Sequence, residues 1–116
     1  MTQDDTSPSG LHARRAAVQL LRGVLEEKEQ LSVLLGSGVL DRLQPADRAR
    51  AQRLATTTLR ELGRADVVIS QFVEKMPPDV ALNILRLAVV ELCVEGEAPH
   101  GVVDSAVNLV KRSGRS

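Results

Sequence analysis

At 116 residues the chain is long enough for one domain with a buried core and no more. Fifteen Lys and Arg balance fifteen Asp and Glu, which excludes a whole-chain basic signature, so any affinity for nucleic acid must come from a local patch. A single aromatic, Phe72, argues against base-stacking RRM or OB readers, and a single cysteine, Cys93, excludes an internal disulfide or a multi-cysteine metal cage.

Residues 1–10, MTQDDTSPSG, are polar and acidic, with Ser, Pro and Gly clustered. They predict a disordered tail and lack the pattern of a signal peptide or membrane anchor. The helical domain is expected over 11–116. No apolar run approaches the roughly 20 residues of a membrane span, which points to a cytoplasmic location.

Ala13, Ala16, Ala17, Leu20, Leu21, Val24 and Leu25 form the apolar stripe of a first helix. Arg14, Arg15 and Arg22 lie off the stripe and are expected to face solvent. Leu31, Leu34 and Leu35 predict a short second helix, stopped by Gly36 and Gly38. Pro45 suits the first position of a third helix, and Asp47 favours its first turn. The third stripe is Ala51, Leu54, Ala55, Thr58, Leu59 and Leu62, with Gly63 as the expected stop. A fourth runs through Ala65, Val68, Ile69, Phe72, Val73 and Met76 to the Pro77-Pro78 break.

The fifth segment, Asp79 to about Glu95, is apolar nearly all round, which predicts the central, buried helix. After Gly96 to Pro99, a sixth stripe holds Val102, Val103, Ala106, Val107 and Val110. No alternating strand pattern occurs. The fold class expected is all-α, with about six helices.

Four blocks then stand in order: ARRAAVQLLRGVL, ADRARAQRLATTTLREL followed by GRAD, LRLAVVEL, and APHGVVDSAVNLVKR. Across residues 13–112 they resemble the NusB-like family. More closely, they are similar to the NusB-like N-terminal domain of bacterial ribosomal RNA cytosine methyltransferases of the RsmB (Sun/Fmu) type. The resemblance implies an all-α fold of about seven helices in two packed sub-bundles. It also implies RNA contact or protein docking as the role.

The family continues with a last helix beginning with a Phe-Val-Asn-like motif. That helix has no counterpart here, so a C-terminally truncated domain is expected. An apolar groove in its place predicts marginal stability or self-association. The family commonly has Tyr where Val90 stands and Asn-Glu where Asp104-Ser105 stand, which disfavours the antitermination-factor pattern. Thr58-Leu59-Arg60, followed by Gly63-Arg64, favours the methyltransferase-type domain.

Charge is segregated along the chain. Residues 42–64 hold six arginines against Asp47 and Glu61, whereas residues 91–104 hold Glu91, Glu95, Glu97 and Asp104 with no Lys or Arg. Clustered guanidinium groups attract a phosphate backbone, and their planar fork fits phosphate oxygens. In the family's antitermination factor the arginine-rich first helix helps hold RNA, and Arg14 and Arg15 match that position. With Arg22, Lys111 and Arg112 they are the expected RNA-binding residues.

Arg86 lies within the apolar fifth helix, where a charge needs a partner. A structural ion pair with Asp66 or Asp104 is expected. Cys93, between Leu92 and Val94, is expected to be a buried, unreactive thiol. His12 and His100 are too isolated for a metal pair, and His100 is expected to cap the sixth helix. Gly36-Ser37-Gly38 lacks the features of a phosphate loop, and no Gly-x-Ser-x-Gly occurs.

No catalytic residue is expected, and no cofactor: by the resemblance, S-adenosylmethionine binds a separate domain. The leading expectation is a non-catalytic domain that positions RNA for a ribosomal RNA cytosine-5 methyltransferase. The alternatives are a standalone antitermination factor working with a ribosomal protein, and a protein docking or dimerisation module. Expected partners are RNA, in particular ribosomal RNA, and a ribosomal protein or the methyltransferase domain, with no membrane or metal.

Overall fold

The small apolar residues of the first helix set how closely its neighbours approach. Ala13, Ala16, Ala17, Leu20 and Leu21 are buried along one side of α1 (Pro8–Leu25), in a computed structural model that describes residues 8–114. The helix begins at Pro8, so residues 8–10 belong to it rather than to the tail. The rest of that expected tail, residues 1–7, lies outside the described residues. Gly23, late in α1, faces α2 (Leu31–Gly36), where a Cβ would stand only 2.6 Å from a Leu34 methyl group. Leu31, Leu34 and Leu35 pack half-buried against the core.

Pro45 opens α3 (Pro45–Arg60) at its first turn, with Asp47 beside it where the helix dipole favours a carboxylate. Ala51, Leu54 and Ala55 face α1 and join the common core with Ile84, Leu87 and Leu109. The helix ends at Arg60, before the expected stop at Gly63. Glu61 leaves helical geometry at φ −100°, ψ 18°, and α4 (Leu62–Ser70) starts at once. The kink was hidden because the apolar period continues across it through Leu59, Leu62 and Ala65.

The fourth helix also stops earlier than its stripe. Ile69 is its last buried side chain, and Phe72 and Met76 are exposed, Phe72 by 82%. The Gln71 and Phe72 amides donate to carbonyls three residues back, a tightening that closes the helix well before the proline pair.

Extended backbone at Pro78 leads into α5 (Asp79–Cys93), and α6 (Pro99–Gly114) folds back along it. Among the described residues there are six helices and no strand. Two helices share the centre. α1 packs between α3 and α5, while α5 touches α1, α3, α4 and α6. α5 is not buried all round: Leu82, Leu85, Val89 and Leu92 are half-buried, and Cys93 is exposed. The expectation of a buried thiol is thereby corrected, because Cys93 sits in the last turn, beyond the cover of neighbouring helices.

On α6 the inward residues are Val102, Ser105, Ala106 and Leu109, while Val103, Val107 and Val110 point outward. The valines therefore belong to two faces of this helix, not to one stripe.

Candidate nucleic-acid interface

Arg14 and Arg15 are adjacent on α1 and point to different faces, about 100° apart around the axis. Arg14 is buried, with 4% of its surface exposed. Its Nε donates to Glu91 Oε2 at 2.9 Å, Nη2 to Glu91 Oε1 at 3.0 Å, and Nη1 to Ser105 Oγ at 2.7 Å. Glu91 is itself 1% exposed, and Arg50 approaches it at 3.7 Å. This corrects two expectations for Arg14, solvent exposure and RNA contact. Each of its three nitrogens donates inside the protein, and a guanidinium so buried is not presented to a phosphate backbone.

Arg15, Gln19 and Arg22 are exposed and follow i, i+4, i+7 spacing, one outward face of α1. With Val18 they form one wall of an open groove of about 200 Å3. Val80, Asn83 and Ile84 from α5 form its floor, and Leu109 and Arg112 from α6 the far side. A second depression adjoins it, lined by His12, Arg15, Ala16 and Gln19 of α1 and by Val39, Arg42 and Leu43. Arg15 and Gln19 belong to both, so Arg42, Arg15, Arg22 and Arg112 lie along one continuous surface.

The charges on this surface are not equally available. Arg22 stands 3.6 Å from Glu26 and 4.0 Å from Glu27. Among the described residues, no carboxylate lies within ion-pair distance of Arg15, Arg42 or Arg112. Lys111 is exposed but does not line the groove.

Beneath the groove, Asn83 is 1% exposed and links α5 to the turn that follows α1: its Nδ2 donates to Glu26 Oε2 at 3.2 Å, and its Oδ1 accepts from Arg86 Nη1 of the same helix at 3.0 Å. Arg86 in turn clasps Asp66 of α4 with two hydrogen bonds, 2.7 and 2.8 Å long.

Half of the arginines in the stretch 42–64, Arg50, Arg53 and Arg64, are taken up by the protein's own pairing. Arg53 meets Glu95 at 3.3 Å and Arg64 meets Glu61 at 3.0 Å. Arg53 and Arg60 line a different depression on α3. His100 lies in the first turn of α6 and is exposed. Among the described residues no group of three or more His, Cys, Asp or Glu is placed to hold a metal ion, and no helix is long and apolar enough to cross a membrane.

Sequence reasoning missed Glu91, Ser105, Asn83, Gln19 and Glu26. For Glu91 a signal was present. A carboxylate near the end of LRLAVVEL, among apolar residues, demands a buried cation just as Arg86 demands an anion.

Against this geometry, a family model for the NusB family matches residues 11–116. The chain belongs to the NusB family. Domains of the NusB family generally bind RNA and are non-catalytic in themselves. No curated protein and no solved structure shows significant similarity to the chain.

Proposed function

We propose that this NusB-family domain binds RNA on the surface of Arg15, Arg22, Arg42 and Arg112 and positions it for chemistry performed elsewhere. The observation that carries this reading is the convergence of Arg15 and Arg22 from α1 with Arg112 from α6 on one groove. In a chain with formal net charge zero, such a local cluster is what attracts a phosphate backbone. Phosphate contacts fix the register and orientation of the RNA, which is the task of a positioning domain. Lys111 adds charge at the edge and no direct groove contact.

The test is titration of a labelled RNA at two or more salt concentrations. Each phosphate contact to single-stranded RNA contributes about 0.7 to the slope of log affinity against log salt. Arg15→Ala with Arg112→Ala is expected to flatten the slope by about 1.4. An unchanged slope refutes the surface as the RNA site.

Within this reading, the domain is the front part of a cytoplasmic, S-adenosylmethionine-dependent ribosomal RNA cytosine-5 methyltransferase. The cofactor belongs to a separate α/β domain, and the expected ligand is ribosomal RNA. Support comes from the Thr58-Leu59-Arg60 and Gly63-Arg64 resemblance and from Val90, where the antitermination-factor pattern has Tyr. Reading the gene beyond Ser116 tests it. A following S-adenosylmethionine-binding domain supports the methyltransferase, and a stop codon after one more helix refutes it.

A further inference from the structure

The groove depends on α6 being held at a fixed distance and rotation relative to α1, because Arg112 is on one and Arg15 and Arg22 are on the other. The two helices touch only thinly, and α6 rests mainly on α5. Apolar contacts through Val102, Ala106 and Leu109 keep α6 on the core but are non-directional, and do little to fix its rotation. A directional tie is the hydrogen bond from Arg14 Nη1 to Ser105 Oγ, 2.7 Å long and buried. Arg14 is in turn locked by Glu91 of α5 through three contacts of 2.9 to 3.1 Å.

Ser105 and Arg112 are seven residues apart. Two turns of helix return nearly to the same azimuth, so the rotation fixed at Ser105 is transmitted to Arg112 about 10 Å further along.

We infer that Ser105 is a positioning residue for RNA binding: through Arg14 and Glu91 it sets the rotation of α6 that brings Arg112 to the groove opposite Arg15 and Arg22. The inference rests on the proposed RNA-binding role of that surface. Ser105 itself is buried, 6% exposed, and touches no RNA. Removing its hydroxyl leaves the buried Arg14 donor without its acceptor, and α6 then loses this directional tie to α1 while its apolar packing persists.

The experiment compares Ser105→Thr, which keeps the hydroxyl, with Ser105→Val, which has nearly the same shape without it. Ser105→Ala provides a less crowded second hydroxyl-free variant. Each is made in the natural and in the Arg112→Ala background. Binding of a fluorescein-labelled oligouridylate is measured over a salt series, at a temperature where circular dichroism shows every variant folded.

The expected result is that Val and Ala lower affinity about fivefold and flatten the salt slope by about 0.7, while Thr retains both. In the Arg112→Ala background the same substitutions are expected to cost nothing further, since the residue they position is gone. A merely structural role for Ser105 predicts the same loss in both backgrounds, or no change of slope, and either overturns the inference. If Arg112→Ala alone leaves the slope unchanged, the RNA-binding surface itself is refuted and the inference with it. If Arg112→Ala flattens the slope but Thr and Val bind alike, only the role of Ser105 fails.

Discussion

Arg14 holds three elements together, while its neighbour Arg15 lines a groove and meets no carboxylate among the described residues. Removing one partner of a buried pair leaves the other charge uncompensated, a loss of about 3–5 kcal/mol. Arg14→Ala is therefore expected to destabilise the fold by that order in urea unfolding followed by helical circular dichroism. Arg15→Ala is expected to stay within about 0.5 kcal/mol, as surface substitutions do. If the two variants unfold alike, the Arg14–Glu91 contact does not stabilise the core. Arg86 offers a second contrast, since its side chain is 14% exposed and shared between Asp66 and Asn83. Arg86→Leu strands those acceptors and is expected to lower stability by about 1–3 kcal/mol. RNA affinity for this variant is expected to change less than roughly twofold, because no phosphate contact is removed. A large affinity loss at unchanged stability would contradict a structural role for Arg86.

Two glycines separate backbone geometry from packing at the level of the helices. Gly96, just after α5, has φ +72°, and a Cβ there would meet nothing within 4 Å. An L side chain at that φ is strained whatever the space, so Gly96→Ala is expected to cost about 1 kcal/mol. Gly63 lies within α4, with equally open surroundings and no such φ. Gly63→Ala is expected to stabilise by about 0.5–1 kcal/mol, since glycine inside a helix is the poorer residue. Thermal melts of the pair check the sign of each change, and equal signs would contradict the contrast between left-handed backbone at Gly96 and helical backbone at Gly63. That boundary also marks where periodicity reaches its limit. The number of helices was legible, because each stripe had its own spacing and its own proline or glycine punctuation. The position of the break between α3 and α4 was not, and was expected at Gly63 instead of Glu61, because one non-helical residue left the inward face of Leu59, Leu62 and Ala65 in register. The early end of α4 was likewise invisible, since an apolar residue such as Phe72 fits a helical stripe whether or not anything covers it.

Across the whole molecule, the even charge balance conceals a division of labour. Glu91, Glu95, Glu61 and Asp66 draw in Arg14, Arg50, Arg53, Arg64 and Arg86, while Arg15, Arg42 and Arg112 gather on one side with Arg22 partly matched, and Arg60 lines a separate depression on α3. The four guanidiniums of the groove and its adjoining depression predict a salt slope of about −2 to −3 for single-stranded RNA. A slope near −6 would mean that the paired arginines also reach the backbone, against the geometry described. A sequence displays how many arginines there are, but their assignment to core or surface depends on where distant carboxylates arrive. Arg14 and Glu91 are 77 positions apart, beyond any local pattern. Arg15 and Arg22 were nameable because they lie off the apolar stripe of the first helix, and Arg112 because it stands in a run of basic residues, whereas Ser105 carries no mark until Arg14 is seen beside it.

The exposed thiol at the end of α5 bears on practical handling. With no tryptophan or tyrosine in the chain, a maleimide dye on Cys93 supplies its one strong visible or near-ultraviolet chromophore, at a single known position. The same accessibility lets air oxidation couple two copies through sulfur, so samples kept without reductant will accumulate covalent dimers.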